Sequence, residues 1–269
     1  MQKIKSAYAI TLALISFNSY AIPGLAKPTA VVSNVANSAQ LRFTAPPLPP
    51  TGTPIGRRRG AAGRKCALAQ PLTALVPATE QSLGEGKVNY VWGKTSAEYP
   101  TFWFYVPDTH TSLKSVEFVL QDEQDNDLYR TRVSLPKAPG VVSLRLPSTA
   151  TPLKINQKYH WFFKIAGEVS CDRQNPSLFK DSVEGWVQRV KPDPTFISQL
   201  EVATPQQRVA LYARNGFWYD ALTALAELRL MQPGDANFKA DWNGLLQSIG
   251  LSNIAAQPIV RCCTPENSN

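Results

Sequence analysis

From Cys66 to about Val190, apolar and polar residues alternate in short runs separated by Pro, Gly and Asp/Asn turns, the period of two that marks half-buried strands. The pattern predicts strands at Leu72–Val76, Thr101–Val106, Ser115–Leu120, Leu128–Leu135, Val141–Leu146, Lys158–Ile165 and Val183–Val190. Val116, Phe118 and Leu120 fall on one face of their strand, as do Tyr129, Thr131, Val133 and Leu135, and as do Tyr159, Trp161, Phe163 and Ile165. About seven strands with no helical period between them predict an antiparallel β-sandwich rather than alternating strands and helices. After Pro192 and Pro194 the period lengthens, and three helices are expected at Gln206–Arg214, Trp218–Met231 and Ala236–Ile249, broken by Gly216 and by Pro233-Gly234. In the second helix Ala221, Leu222, Leu225 and Leu228 repeat at three and four residues and make one buried stripe.

The segment TFWFYV breaks the alternation, because Phe102 and Phe104 face one way and Trp103 and Tyr105 the other. A strand apolar on both faces needs cover on both. The C-terminal helices are the natural cover; uncovered, Trp103 and Tyr105, together with Trp186, would make an aromatic platform able to stack on sugar rings. Two local likenesses refine the architecture. LKINQKYHW resembles the entry to a late strand of immunoglobulin-like and fibronectin-type sandwiches, where a tyrosine hydroxyl, here that of Tyr159, caps the corner. Tyr212, Gly216, Ala221, Leu225 and Pro233 resemble the register of one tetratricopeptide-type hairpin, a single unit that cannot build a solenoid and is expected to dock as a helical cap.

Charge separates the chain further. The net charge is +8, yet residues 1–26 hold Lys3 and Lys5 and residues 27–65 hold seven Lys and Arg, both without an acid, so the chain from Cys66 onward sums to −1. A nucleic-acid partner is not expected of a near-neutral folded part. Lys3, Lys5, the apolar run Ala7–Phe17 and the small residues that follow read as a secretory signal peptide over 1–26, with cleavage after Ala21 or Ala26, and imply a periplasmic or extracellular protein with no transmembrane helix once the signal is removed. Residues 27–65, with five prolines between Pro46 and Pro54 and ending in GRRRGAAGRK, have the composition of an extended basic linker. Arg57, Arg58, Arg59, Arg64 and Lys65 could clamp acidic polysaccharide, lipid headgroups or an acidic protein face. The expected division is signal 1–26, linker 27–65, sandwich 66–191, helical cap 192–251 and a tail 252–269 with adjacent cysteines.

An exported chain allows its four cysteines to pair. Cys66 with Cys171 is the first expectation, closing a loop of about a hundred residues that the chain-entropy account values at roughly 4–5 kcal/mol. The neighbours Cys262 and Cys263 rarely bond each other, because adjacent Cα atoms lie below the usual disulfide span, and are expected to stay free, pair between chains, or join the other two. Candidate chemistry is sparse. His110 and His160 are the two histidines, and each is expected on the surface. No nucleophile elbow, zinc-binding H-E-x-x-H, phosphate loop or C-x-x-C occurs, so no catalytic residue and no cofactor is assigned. Asp122, Asp125 and Asp127 in QDEQDND form the best calcium candidate, though the run reads equally as a hairpin turn and lacks the glycine and downstream glutamate of an EF-hand.

The signal peptide, GRRRGAAGRKC, PTFWFYVP, the acidic turn before LYRT, CDR after a strand, VEGWVQRV and GFWYDALTALAELR together resemble the exported cyanobacterial family catalogued as domain of unknown function 928, from about Gly56 to the adjacent cysteines. The resemblance implies a bacterial envelope or extracellular protein and assigns no functional residue. The expected function is a non-enzymatic interaction module contacting an envelope protein or itself; the alternatives are a carbohydrate-binding sandwich and an unrecognised hydrolase.

Overall fold

The computed structural model describes residues 41–48, 54–61, 70–83, 86–107, 113–134, 138–169, 177–260 and 263, all within one compact unit. Nine strands lie in this part of the chain: β1 Thr73–Ala74, β2 Ala78–Leu83, β3 Gly86–Thr95, β4 Thr101–Val106, β5 Leu113–Gln121, β6 Asp127–Arg132, β7 Gly140–Arg145, β8 Lys158–Val169 and β9 Ser177–Arg189. They form a three-stranded sheet ordered β1-β4-β7 and a six-stranded sheet ordered β2-β3-β9-β8-β5-β6. The seven expected strands are all present. The β2–β3 hairpin was not anticipated, and β3 pairs with β9 in parallel, so the sandwich is not wholly antiparallel.

The alternating residues meet between the sheets. Phe102 and Phe104 of β4 pack on Phe118 of β5 and on Trp161 and Phe163 of β8, with Phe104 stacked on Phe163 at 4.1 Å between centroids. Burying one such ring stabilises the fold by roughly 1.5–3 kcal/mol, so this layer accounts for much of the sandwich's cohesion.

Five helices follow: α1 Pro194–Val202, α2 Pro205–Arg214, α3 Trp218–Met231, α4 Ala236–Gln247 and α5 Ser252–Ala255. The first two start on side-chain caps. Asp193 accepts from the Phe196 amide, and Thr204 exchanges hydrogen bonds with Gln207, each cap followed by a proline at the first helical position. Helix α3 covers the second face of β4. Trp103 Nε1 donates to Thr223 Oγ1 at 3.0 Å, Trp218 Nε1 donates to the Leu75 carbonyl at 2.8 Å, and Trp103 and Tyr105 are 4% and 5% exposed. These two rings are therefore core, and the aromatic platform expected as the alternative does not form there.

The basic linker also departs from its composition. Leu41 enters the core, and the Phe43 ring meets Trp218 edge-on at 4.9 Å. Residues 54–61 are laced into both sheets: Ile55 bridges Tyr90 of β3, Arg57 bridges Glu184 of β9, and Arg59 bridges Thr73 of β1. Glycine makes this threading possible. A Cβ on Gly56 would lie 2.7 Å from the Glu184 carbonyl, and one on Gly60 would lie 2.0 Å from Asp181 Oδ2. Backbone pairing with three strands offsets the entropy that composition alone leaves unopposed. At the other end of the chain Val141 pairs in parallel with Ile259, which adds a short segment to the β7 edge.

Candidate binding groove

The outer face of the six-stranded sheet is set by its register. Residues paired across adjacent strands share a face, so Arg132 of β6, Glu117 of β5, Lys164 of β8 and Ser182 of β9 form one row. Val119, Phe162 and Glu184 form the next, and Gln121, His160 and Trp186 the next again. With Arg57 and Ala61 of the threaded segment and Lys180 of β9, the first row lines an open groove of about 510 Å³.

Four cationic side chains reach this groove, and its acids are already engaged. Asp181, 8% exposed, accepts from the Ala61 and Ser182 amides at 2.8 and 2.9 Å. Glu117 lies 2.8 Å from Arg130 and only 3.9 Å from Lys164. Arg57 donates to Ser182 Oγ at 2.6 Å and stands 3.9 Å from Glu184, while Arg132 and Lys180 are exposed with no acid within ion-pair distance among the described residues. The groove thus presents surplus positive charge beside hydroxyls.

Beyond it, aromatic side chains are spread over the next two rows. His160 stacks on Trp186 with centroids 4.4 Å apart and planes 7° apart, and contacts Phe162 at 4.1 Å. The expectation of an exposed His160 does not hold, since its side chain is 15% exposed and burial depresses its pKa to about 4, which keeps the imidazole neutral. Trp186 is half-buried and donates to the Ile55 carbonyl at 3.0 Å. It is the one expected platform residue on this face.

The remaining site residues scatter. Arg58 turns inward and donates to the Ile249 carbonyl at 2.7 Å, its pKa lowered to about 10 by burial and by neighbouring Arg59. Arg59 is exposed. Arg64, Lys65, His110, Cys66, Cys171, Cys262 and the signal segment lie outside the described residues. Asp122 accepts from the Gln124 and Asn126 amides and the Asn126 side chain, which holds its carboxyl below the usual range, and Asp127 pairs with Arg130 at 2.7 Å and accepts from Gln121. Asp125 takes a positive φ of 63° in the turn. The Asp122 and Asp127 carboxylates are spent on the hairpin, and among the described residues no cluster gathers three metal-ligating side chains. Arg132, Lys164, Lys180 and Ser182 were missed by sequence reasoning. Each is the polar partner of an alternating core residue, so pairing the strands by register would have brought them together.

A second cleft of about 270 Å³ lies against α3 and contains Asp220, Tyr212, Tyr219, Glu227 and Arg145. The Asp220 carboxylate accepts from the Ser96 amide and hydroxyl, and burial raises its pKa. Its oxygens fasten the 96–100 loop to the start of α3. The Tyr219 hydroxyl accepts from Trp161 Nε1 at 2.8 Å and donates to the Trp186 carbonyl at 3.1 Å. Both groups are occupied by structural bonds.

Residues 55–259 match the family model described as Domain of Unknown Function (DUF928). The chain belongs to this DUF928 family. The match begins within the threaded segment, and its range covers positions 57 and 60 and the nine strands among the described residues. No curated protein and no solved structure matches the chain.

Proposed function

We propose that this DUF928 protein is an exported recognition module of the bacterial envelope that binds a partner without transforming it. The groove on the outer face of the six-stranded sheet carries this reading: four cations converge there from separate segments, and among the described residues that line it no nucleophile hydrogen-bonds to an adjacent base. His160, held neutral among aromatic rings, is poorly placed to shuttle protons at neutral pH. The order β3-β9-β8-β5-β6 against β1-β4-β7, with one parallel pair, supports an immunoglobulin-like sandwich. So does the bond from the Lys154 amide to the Tyr159 hydroxyl at 2.8 Å. The α2–α3 pair fits a single tetratricopeptide-like hairpin serving as the cap. Loops and sheet faces of such sandwiches commonly serve recognition, an analogy of fold that supports the reading without carrying it.

Export also implies oxidised cysteines. The Cys263 thiol is not free, and neighbouring cysteines rarely bond each other. That favours Cys66 and Cys171 each joined to one member of the adjacent pair over the direct bridge first expected. Peptide mapping without reductant distinguishes the two connectivities.

Pull-down from envelope extract, with light scattering to detect self-association, tests the function. A partner or a second copy that is retained by the full chain and lost in a Arg132→Glu/Lys180→Glu variant is the expected result. A monomer that recovers nothing, or turnover of a substrate at an enzymatic rate, contradicts the proposal.

A further inference from the structure

We infer that the outer face of the six-stranded sheet binds an acidic polysaccharide, with the groove taking its anionic substituents and Phe162 and Trp186 contacting its sugar rings. The inference rests on the recognition reading above and names its ligand class.

Two features lie on one face in fixed order. The groove gathers Arg57, Arg132, Lys164 and Lys180 with the hydroxyls of Ser115 and Ser182. Guanidinium and ammonium groups beside hydroxyls suit carboxylate or sulfate, which accept several charge-assisted hydrogen bonds at once. One row of the sheet away Phe162, and two rows away Trp186, provide half-buried aromatic surface; His160 stacks on one face of Trp186 at 4.4 Å, and Lys164 Nζ lies 5.2 Å above the Phe162 ring. From Ser182 to Trp186 the strand advances about 13 Å, at roughly 3.3 Å per residue. A lone inorganic anion would use the cations and leave the rings idle. An anionic sugar chain uses both, because pyranose rings lie flat on aromatic faces while their substituents reach sideways.

The other anionic surfaces fit less well. A lipid headgroup layer calls for a protruding cationic patch, whereas this charge lines a concave groove. An acidic protein face would need no aromatic rings at a fixed spacing from the cations. Of the basic residues expected to form a clamp in the linker, Arg57 joins the groove and Arg58 is turned away toward the helices, and strand residues supply the other charges.

The test is equilibrium binding of the full chain to polygalacturonate and to dextran sulfate, with neutral dextran, inorganic phosphate and anionic phospholipid vesicles as comparisons. The two acidic glycans separate carboxylate from sulfate as the preferred substituent. Binding to at least one, weakened about tenfold or more by Arg132→Glu/Lys180→Glu and by added salt, supports the inference. Trp186→Ala and Phe162→Ala should weaken glycan binding about threefold or more while leaving inorganic phosphate binding unchanged. Circular dichroism on each variant establishes that the fold persists, and Lys180→Ala, at an exposed position without an acid partner, supplies a milder change that leaves the core intact. The inference is overturned by equal binding of neutral dextran, by tighter binding to vesicles than to either glycan, by indifference to Arg132→Glu/Lys180→Glu, or by complete loss on Arg64→Ala/Lys65→Ala alone. If no glycan binds while an envelope protein is still captured through Arg132 and Lys180, the recognition reading stands and this inference falls.

Discussion

A Cβ on Gly60 would meet the Asp181 carboxylate that anchors the Ala61 and Ser182 amides, so a side chain fits there only if that carboxylate gives way. Gly60→Ala is expected to cost about 1–3 kcal/mol by pulling Asp181 off those amides. Gly234→Ala, with nothing within 4 Å of the new methyl, should stay within about 0.5 kcal/mol of the parent in the same thermal melt. His160 gives a pH signature. Its pKa falls from 6.5 to about 4 on folding, so the unfolded chain takes up the proton first. The stabilisation is therefore full above about pH 6.5, declines as the pH falls toward 4, and is level below that. His160→Gln should flatten that part of a stability-against-pH curve; an unchanged slope would show that other groups set it. At this scale sequence reading did poorly, for it expects His160 on the surface without seeing that Phe162 and Trp186 share its face. Alternation reports which residues point away from the core but not what they meet there.

Helix α3 is the element on which the two-sided burial of β4 depends. It began and ended where the sequence predicted, since the glycine before it and the proline after it punctuate a strong apolar stripe. Its docking was legible as well, through a strand with apolar residues on both faces. Trp218→Ala removes a fully buried ring and its bond to Leu75, and should destabilise the protein by about 3–5 kcal/mol in chemical denaturation. Helices α1 and α5 and the β2–β3 hairpin escaped. Helix α1 hid behind its prolines, although Asp193-Pro194 is a good start signal. The β2–β3 hairpin was missed because β2 is largely polar and β3 finds its parallel partner in β9 about ninety positions downstream. No local period encodes a pairing at that distance.

Across the whole molecule, the segment 54–61 behaves as part of the sandwich, holding β3, β9 and β1 together and reaching the end of α4 through Arg58. Composition concealed this, since arginine, glycine and proline signal solvated chain, and only pairing partners far along the sequence reveal otherwise. A chain lacking residues 1–61 should melt well below one lacking residues 1–40; equal midpoints would mean that the threading is incidental. The same segment completes the groove, so fold and the proposed recognition share it: Arg57 delivers charge to the face that its own backbone helps build. That face is where the protein meets its ligand on this account, and lysine-labelling footprints of the full chain, with and without envelope extract, test it most directly. Protection of Lys164 and Lys180 with Lys239 of α4 unchanged is predicted; protection at Lys239 with Lys164 and Lys180 still fully reactive would contradict the account.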